Sequence, residues 1–150
     1  VILDRKAASA LFGLELPIGK AEILRPGSGI TLLALGNMNG YAAKVRELLA
    51  AQGISCAHVN ARFICPLDSE LILQKAAGAR LIVTLEDHTI VGGFGSAVME
   101  LLNSNNCPTP VQRIGWPAQF IEHGSDAQLR EKHGLTPQAI CNTILKHFPS

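Results

Sequence analysis

The sequence predicts an α/β fold: a three-layer αβα sandwich around a mostly parallel sheet of about five strands, with one antiparallel edge strand. Three observations carry this. Apolar runs of strand length alternate with stretches of helical period across short connections, which places helices on both faces of a parallel sheet. The near-continuous apolar run Leu81–Leu85 suits a strand covered on both faces. That strand turns polar at Glu86, Asp87 and His88 and passes through Gly92, Gly93 and Gly95. It then enters a helix with Val98, Leu101 and Leu102 at apolar spacing, completing half of a βαβ unit.

The elements follow in order. Residues 1–15 show no clean period, although Ala7–Leu14 has the composition of a short helix. They are expected to be a linker or the remnant of an upstream or vector-derived segment, with the domain running from 16 to 150. Ala21–Leu24 reads as a short strand ended by Pro26-Gly27-Ser28-Gly29 and antiparallel to the next strand, to which this tight turn joins it. Ile30–Leu35 is a buried strand stopped by Gly36. A helix from Asn39 to Gln52 carries Tyr41, Val45, Leu48 and Leu49 on one stripe, with Gly53 as its stop. Ser55–Ala61 is the third strand. Asp68 is placed to cap the following helix, with Leu67 and Ile72 as a hydrophobic staple around it. Val111–Ile114 is the fifth strand. Ser125 and Gln128 form a capping box for a short helix to His133. Thr136-Pro137 opens the last helix, whose Ile140, Ile144, Leu145 and Phe148 face inward.

Composition excludes several classes. A formal net charge of +1 from interspersed signs leaves no basic stripe for nucleic acid and no acidic tail. The apolar runs fall well short of the about 20 residues a membrane helix needs, and no signal peptide is evident. Cys56, Cys65, Cys107 and Cys141 make no C-x-x-C pair and have no histidine at zinc spacing, so free thiols in a reducing compartment are expected.

Arg62, Glu86, Asp87, His88, Gly92–Gly95 and His123 all fall at or beyond carboxyl ends of expected strands, where open α/β sheets meet ligands and neighbours. The glycines permit close packing or the approach of an anion to a helix start; close packing is preferred. They match neither the dinucleotide fingerprint nor the P-loop. Glu86 with His88 has the chemistry of an acid/base pair, against the commoner role of exposed polar residues. His58, inside a strand, is expected to be a satisfied core residue. Arg62 is placed to reach a carboxylate or phosphate, or to form an interdomain salt bridge. Phe94, between glycines, is expected to insert into a partner. No complete active site is present.

Four segments together resemble a known family. They are Leu16-Pro-Ile-Gly-Lys-Ala-Glu-Ile-Leu-Arg25, Asn60-Ala-Arg-Phe-Ile-Cys-Pro-Leu-Asp68, Thr84-Leu-Glu-Asp-His-Thr-Ile-Val-Gly-Gly-Phe-Gly-Ser-Ala97 and Phe120-Ile-Glu-His-Gly-Ser125. In this order they resemble the C-terminal, transketolase-type domain of the 1-deoxy-D-xylulose-5-phosphate synthases. The first 15 residues do not reproduce the Arg-Tyr-Pro-Arg-Gly segment usual before Leu-Pro-Ile-Gly-Lys in that family, and the chain is far shorter than a whole synthase. The resemblance implies an enzyme that condenses pyruvate with D-glyceraldehyde 3-phosphate, releasing CO2, in non-mevalonate isoprenoid biosynthesis. It implies thiamine diphosphate and Mg2+ in the whole enzyme, held by preceding domains, with no cofactor, no metal and no catalytic residue in this chain, which is expected to be inactive alone.

The implied partners are the preceding domains of the same polypeptide and a second identical subunit, with no nucleic acid and no membrane. The expected contact residues are Arg62, Glu86, His88, Gly92, Gly93, Phe94 and His123. Bacterial cytoplasm or plastid stroma is the implied location. The alternatives are the equivalent domain of transketolase or of a 2-oxoacid dehydrogenase β subunit, or a free-standing module whose glycine edge holds a nucleotide or anion.

Overall fold

The computed structural model describes residues 16–148; the expected helix Ala7–Leu14 lies outside them. The elements are β1 (Glu22–Arg25), β2 (Gly29–Ala34), α1 (Met38–Ala50), β3 (Cys56–Asn60), α2 (Ser69–Ala77), β4 (Ala79–Thr89), α3 (Phe94–Ser104), β5 (Val111–Trp116), α4 (Asp126–Lys132) and α5 (Pro137–His147). The sheet order is β1-β3-β2-β4-β5, parallel throughout except where β1 runs antiparallel to β3.

The first strand therefore has a different neighbour from the one its tight turn suggested. It lies on the far side of β3 instead of pairing with β2. The turn passes directly against the start of β3, and a Cβ on Gly27 would sit 2.2 Å from the Cys56 carbonyl carbon. Only a residue without a side chain lets the chain cross so closely.

Alternation along the strands divides the core in two. Ile30, Leu32, Ala34, Leu81, Val83 and Leu85 pack with Met38, Val45 and Leu49 of α1 and Ile140 and Ile144 of α5. Leu33, Val59 and Ile82 pack on the other face with Ile72 of α2 and Phe94, Val98 and Leu102 of α3. Burying these side chains contributes about 1.5–3 kcal/mol each and opposes the entropy cost of ordering the chain.

Three helix starts follow their sequence signals. Asp68 Oδ1 accepts from Leu71 N at 3.2 Å, and its Oδ2 accepts from Ala21 N at 3.0 Å, so one carboxylate caps α2 and ties the segment before β1 to it. Ser125 and Gln128 make the capping box of α4. The Thr136 side chain accepts from Ala139 N, with Pro137 at the first position of α5. The four cysteines are free. Among the described residues no helix is long and apolar enough to cross a membrane.

β4 extends beyond the expected Leu85 to Thr89. After a register shift Thr89 pairs with Trp116, which lengthens β5 past Ile114 as well. Glu86, Asp87 and His88 thus lie on a strand, and the loop starts later.

Candidate functional site

Because the strands around it are parallel, β2, β3, β4 and β5 all deliver their carboxyl ends to one edge. Glu86 stands at this edge but turns inward and is 1% exposed. Its Oε2 accepts from Phe94 N at 2.7 Å and its Oε1 from Gly95 N at 2.9 Å. A carboxylate from β4 thereby caps α3, where unpaired N–H groups and the helix dipole favour negative charge. Glu86 and His88 form no acid/base pair, in line with the commoner structural reading of such residues: His88 is exposed, and its Nδ1 lies 3.2 Å from Thr89 O.

The glycines make this cap possible. A Cβ on Gly93 would come 2.1 Å from Glu86 Oε2, and one on Gly95 would come 2.6 Å from Thr84 Oγ1. Gly115 on β5 meets the same strand, with Glu86 Cγ at 3.0 Å from its would-be Cβ. Gly92 has φ +70° and donates its N–H to Ser96 Oγ at 3.1 Å. Close packing is therefore the use the loop makes of its glycines, and the N–H groups of Phe94 and Gly95 are occupied by the chain's own carboxylate. Phe94 is fully buried in the core it shares with Ile72, Ile82 and Val98 and offers no surface to a partner.

Arg62, at φ 60°, donates its backbone N–H to Asn60 Oδ1 and its guanidinium to Glu22 on β1. Its ion pair is within the domain. His123 is exposed in the loop before α4, next to Glu122, which the Lys132 ammonium holds down to about 2. Among the described residues no hydrogen bond or ion pair joins Arg62, His88 and His123 to one another.

Sequence reading missed the polar centre of this edge. Asp87 accepts from Asn37 Nδ2 at 2.6 Å, from Trp116 Nε1 at 2.7 Å and from Arg130 Nη2 at 2.9 Å. Arg130 is 5% exposed and binds Asp126 through Nε; its guanidinium lies 4.8 Å from the Tyr41 ring centroid and 5.4 Å from that of Trp116. Burial pushes Asp87 up, but the hydrogen bonds from Asn37, Trp116 and Arg130 outweigh it and hold the carboxyl below its usual range. Burial likewise disfavours the charge on Arg130, and Asp126 and Asp87 outweigh it. The Trp116 ring meets His133 edge-on, with centroids 5.7 Å apart. This network binds the ends of β2, β4 and β5 to α4. Only the short polar run Glu86-Asp87-His88 hinted at it.

The loops that leave this edge carry apolar tips. Ile64 after β3 is 46% exposed, Val91 after β4 is 60% and Phe120 after β5 is 90%. Among the described residues no group of three or more His, Cys, Asp or Glu side chains is placed to hold a metal ion, and the anion position at the start of α3 is filled by Glu86.

Compared with known proteins, the sequence matches the family described as transketolase, C-terminal domain, over residues 19–140. The chain belongs to that family. It is 50% identical over 133 residues, 89% of its length, to 1-deoxy-D-xylulose-5-phosphate synthase of Acidobacterium capsulatum. It is 44% identical over 91% of its length to the same enzyme of Synechococcus elongatus. In both cases it covers 21% of the relative, so the chain spans about a fifth of the curated relatives it matches. Among solved structures, a split-gene transketolase described as an inactive β4 tetramer superposes with TM-score 0.83 at 32% identity, over 89% of this chain and 44% of that one. A transketolase mutant of Pichia stipitis shares the fold at TM-score 0.61 and 18% identity, over 85% of this chain and 18% of that one.

Proposed function

We propose that this chain is the C-terminal domain of a 1-deoxy-D-xylulose-5-phosphate synthase and that its part in the enzyme is structural. The whole enzyme condenses pyruvate with D-glyceraldehyde 3-phosphate and releases CO2, in the bacterial cytoplasm or the plastid stroma. The observation that carries this reading is the 50% identity over 133 residues to a synthase, against 32% to the split-gene transketolase. Thiamine diphosphate with Mg2+ supplies the electron sink of that reaction, and its site lies in domains outside this chain. The residues of this chain brace those domains and a second subunit.

The form of the carboxyl edge supports the bracing role. Glu86 has both oxygens engaged by its own helix, and Asp87 and Arg130 satisfy each other. What remains for a neighbour is Arg62, His88, Gly92 and His123 among apolar tips, with Val91 and Phe120 the most exposed, whereas Gly93 is buried against Glu86. Exposed apolar side chains rimmed by polar ones characterise interaction surfaces.

The test uses the full-length protein that contains this chain. With thiamine diphosphate and Mg2+ it forms the condensation product from pyruvate and glyceraldehyde 3-phosphate, whereas the 150-residue chain alone does not. Val91→Asp together with Phe120→Asp lowers the activity of the whole enzyme and weakens its dimer, while circular dichroism of the isolated chain stays unchanged. Turnover by the isolated chain overturns the reading. So does a full-length protein that transfers two-carbon units between sugar phosphates but leaves pyruvate untouched.

A further inference from the structure

A groove lined by α1, β1 and β3 gathers two arginine side chains. α1 packs over β3, β2 and β4 and stops short of the edge strand β1, leaving a cavity of about 460 Å3 between helix and strand. Its lining includes Arg25 at the end of β1, Arg46, Asn39 and Glu47 of α1, and His58 of β3. Arg25 and His58 are register partners across the β1–β3 pair.

The geometry of the floor is fixed by hydrogen bonds. Asn39 Nδ2 donates to Gly36 O at 2.9 Å and to Asn60 Oδ1 at 3.1 Å, both pure acceptors. The amide orientation follows, and its Oδ1 can only accept from His58 Nε2 at 3.0 Å. His58 therefore carries its proton on Nε2, and in the neutral ring Nδ1 is an acceptor. The ring is 3% exposed. Above it, Arg46 anchors its Nε on Cys56 O at 3.3 Å, and Arg25 places Nη1 on Leu24 O at 2.7 Å. Neither guanidinium has a carboxylate within ion-pair distance among the described residues, although Glu47 also lines the groove. Burial, then Arg46 and Arg25, lower the pKa of His58. Both arginines thus act on one buried ring.

We propose that this groove is a binding site for a phosphate monoester, its dianion held by the guanidinium groups of Arg25 and Arg46 over the His58–Asn39 floor. Guanidinium forks match phosphate oxygens in shape and charge, and two of them line one groove where, among the described residues, neither has a carboxylate at ion-pair distance. The cavity has room for a small organic body beyond the phosphate. The bound dianion also reverses the electrostatics at His58 and favours its charged form. Its floor adjoins the carboxyl edge through Asn60, which accepts from both Asn39 Nδ2 and Arg62 N, and the proposal does not depend on which enzyme the chain belongs to.

Nuclear magnetic resonance of the chain tests this, with inorganic phosphate and glycerol phosphate as probes and chloride at matched ionic strength as control. Both phosphates are expected to shift Asn39, Arg46 and His58 saturably, with Kd on the order of 1 mM. The His58 ring is expected to titrate at higher pH with phosphate present. Arg25→Gln and Arg46→Gln each raise Kd about tenfold. Arg25 is exposed, so its variant reports on binding without threatening the fold. Three results overturn the proposal: equal shifts with chloride, no saturation by tens of millimolar phosphate, or an unchanged Kd in Arg25→Gln.

Discussion

Replacing Glu86 with Gln puts an amide where two backbone N–H groups need a carboxylate. Only one of its two terminal atoms can accept, so Phe94 N or Gly95 N faces a donor. Loss of a charged, buried hydrogen bond costs about 1.5–3 kcal/mol, and urea unfolding of the variant is expected to show a loss of that size. Gly93→Ala should cost as much or more, since its Cβ overlaps the same carboxylate. Asp87 makes a prediction about pH. Its folded pKa lies below the unfolded value of about 4, so its contribution is present above pH 4 and fades as pH falls through the folded pKa. The urea midpoint should drop between pH 5 and 3, and Asp87→Asn should flatten that drop while lowering stability at pH 7. An equal drop in the variant excludes Asp87 as its source. At this scale the sequence indicated which residue types gather at the edge. It did not separate Glu86, which turns inward to a helix, from Asp87, which joins Arg130 from 43 positions away. Neighbours on a strand point to opposite faces, and what each face meets is set by other segments.

The elements were legible where their signals are local. Asp68, Ser125 and Thr136 each cap the helix they precede, because a cap needs only backbone N–H groups two or three residues on. Asp68 does more, since its second oxygen holds Ala21 N across 47 residues. Asp68→Ala is therefore expected to cost more than the about 1 kcal/mol of an ordinary cap. The excess should show as faster amide exchange at Ala21 as well as in the first turn of α2. A loss confined to α2 would make the Ala21 bond incidental. The extension of β4 to Thr89 was not legible, because Glu86, Asp87 and His88 have the polarity of a loop. They remain extended because β5 pairs again just beyond them, Trp116 with Thr89.

Over the whole molecule, protection against hydrogen exchange should follow sheet position. β2 and β4 have strand neighbours on both sides and helices on both faces, whereas β1 pairs on one side only. Amides of β2 and β4 should exchange only on global unfolding, and those of β1 through local opening. Equal protection in β1 would mean that the edge strand and the core open as one unit.

The alternation of apolar strands with amphipathic helices determined the class of fold, the parallel sheet and the helix starts, since each is encoded within about ten residues. The four motifs also determined the family. Tertiary structure decided which side of β3 receives β1, that Phe94 is core, and that Arg130 pairs with Asp87. These outcomes turn on close approaches between distant segments: Gly27 against Cys56, Gly93 against Glu86 and α4 against the strand ends. Periodicity records which face of an element is apolar, and the partner of that face is chosen only when the segments pack.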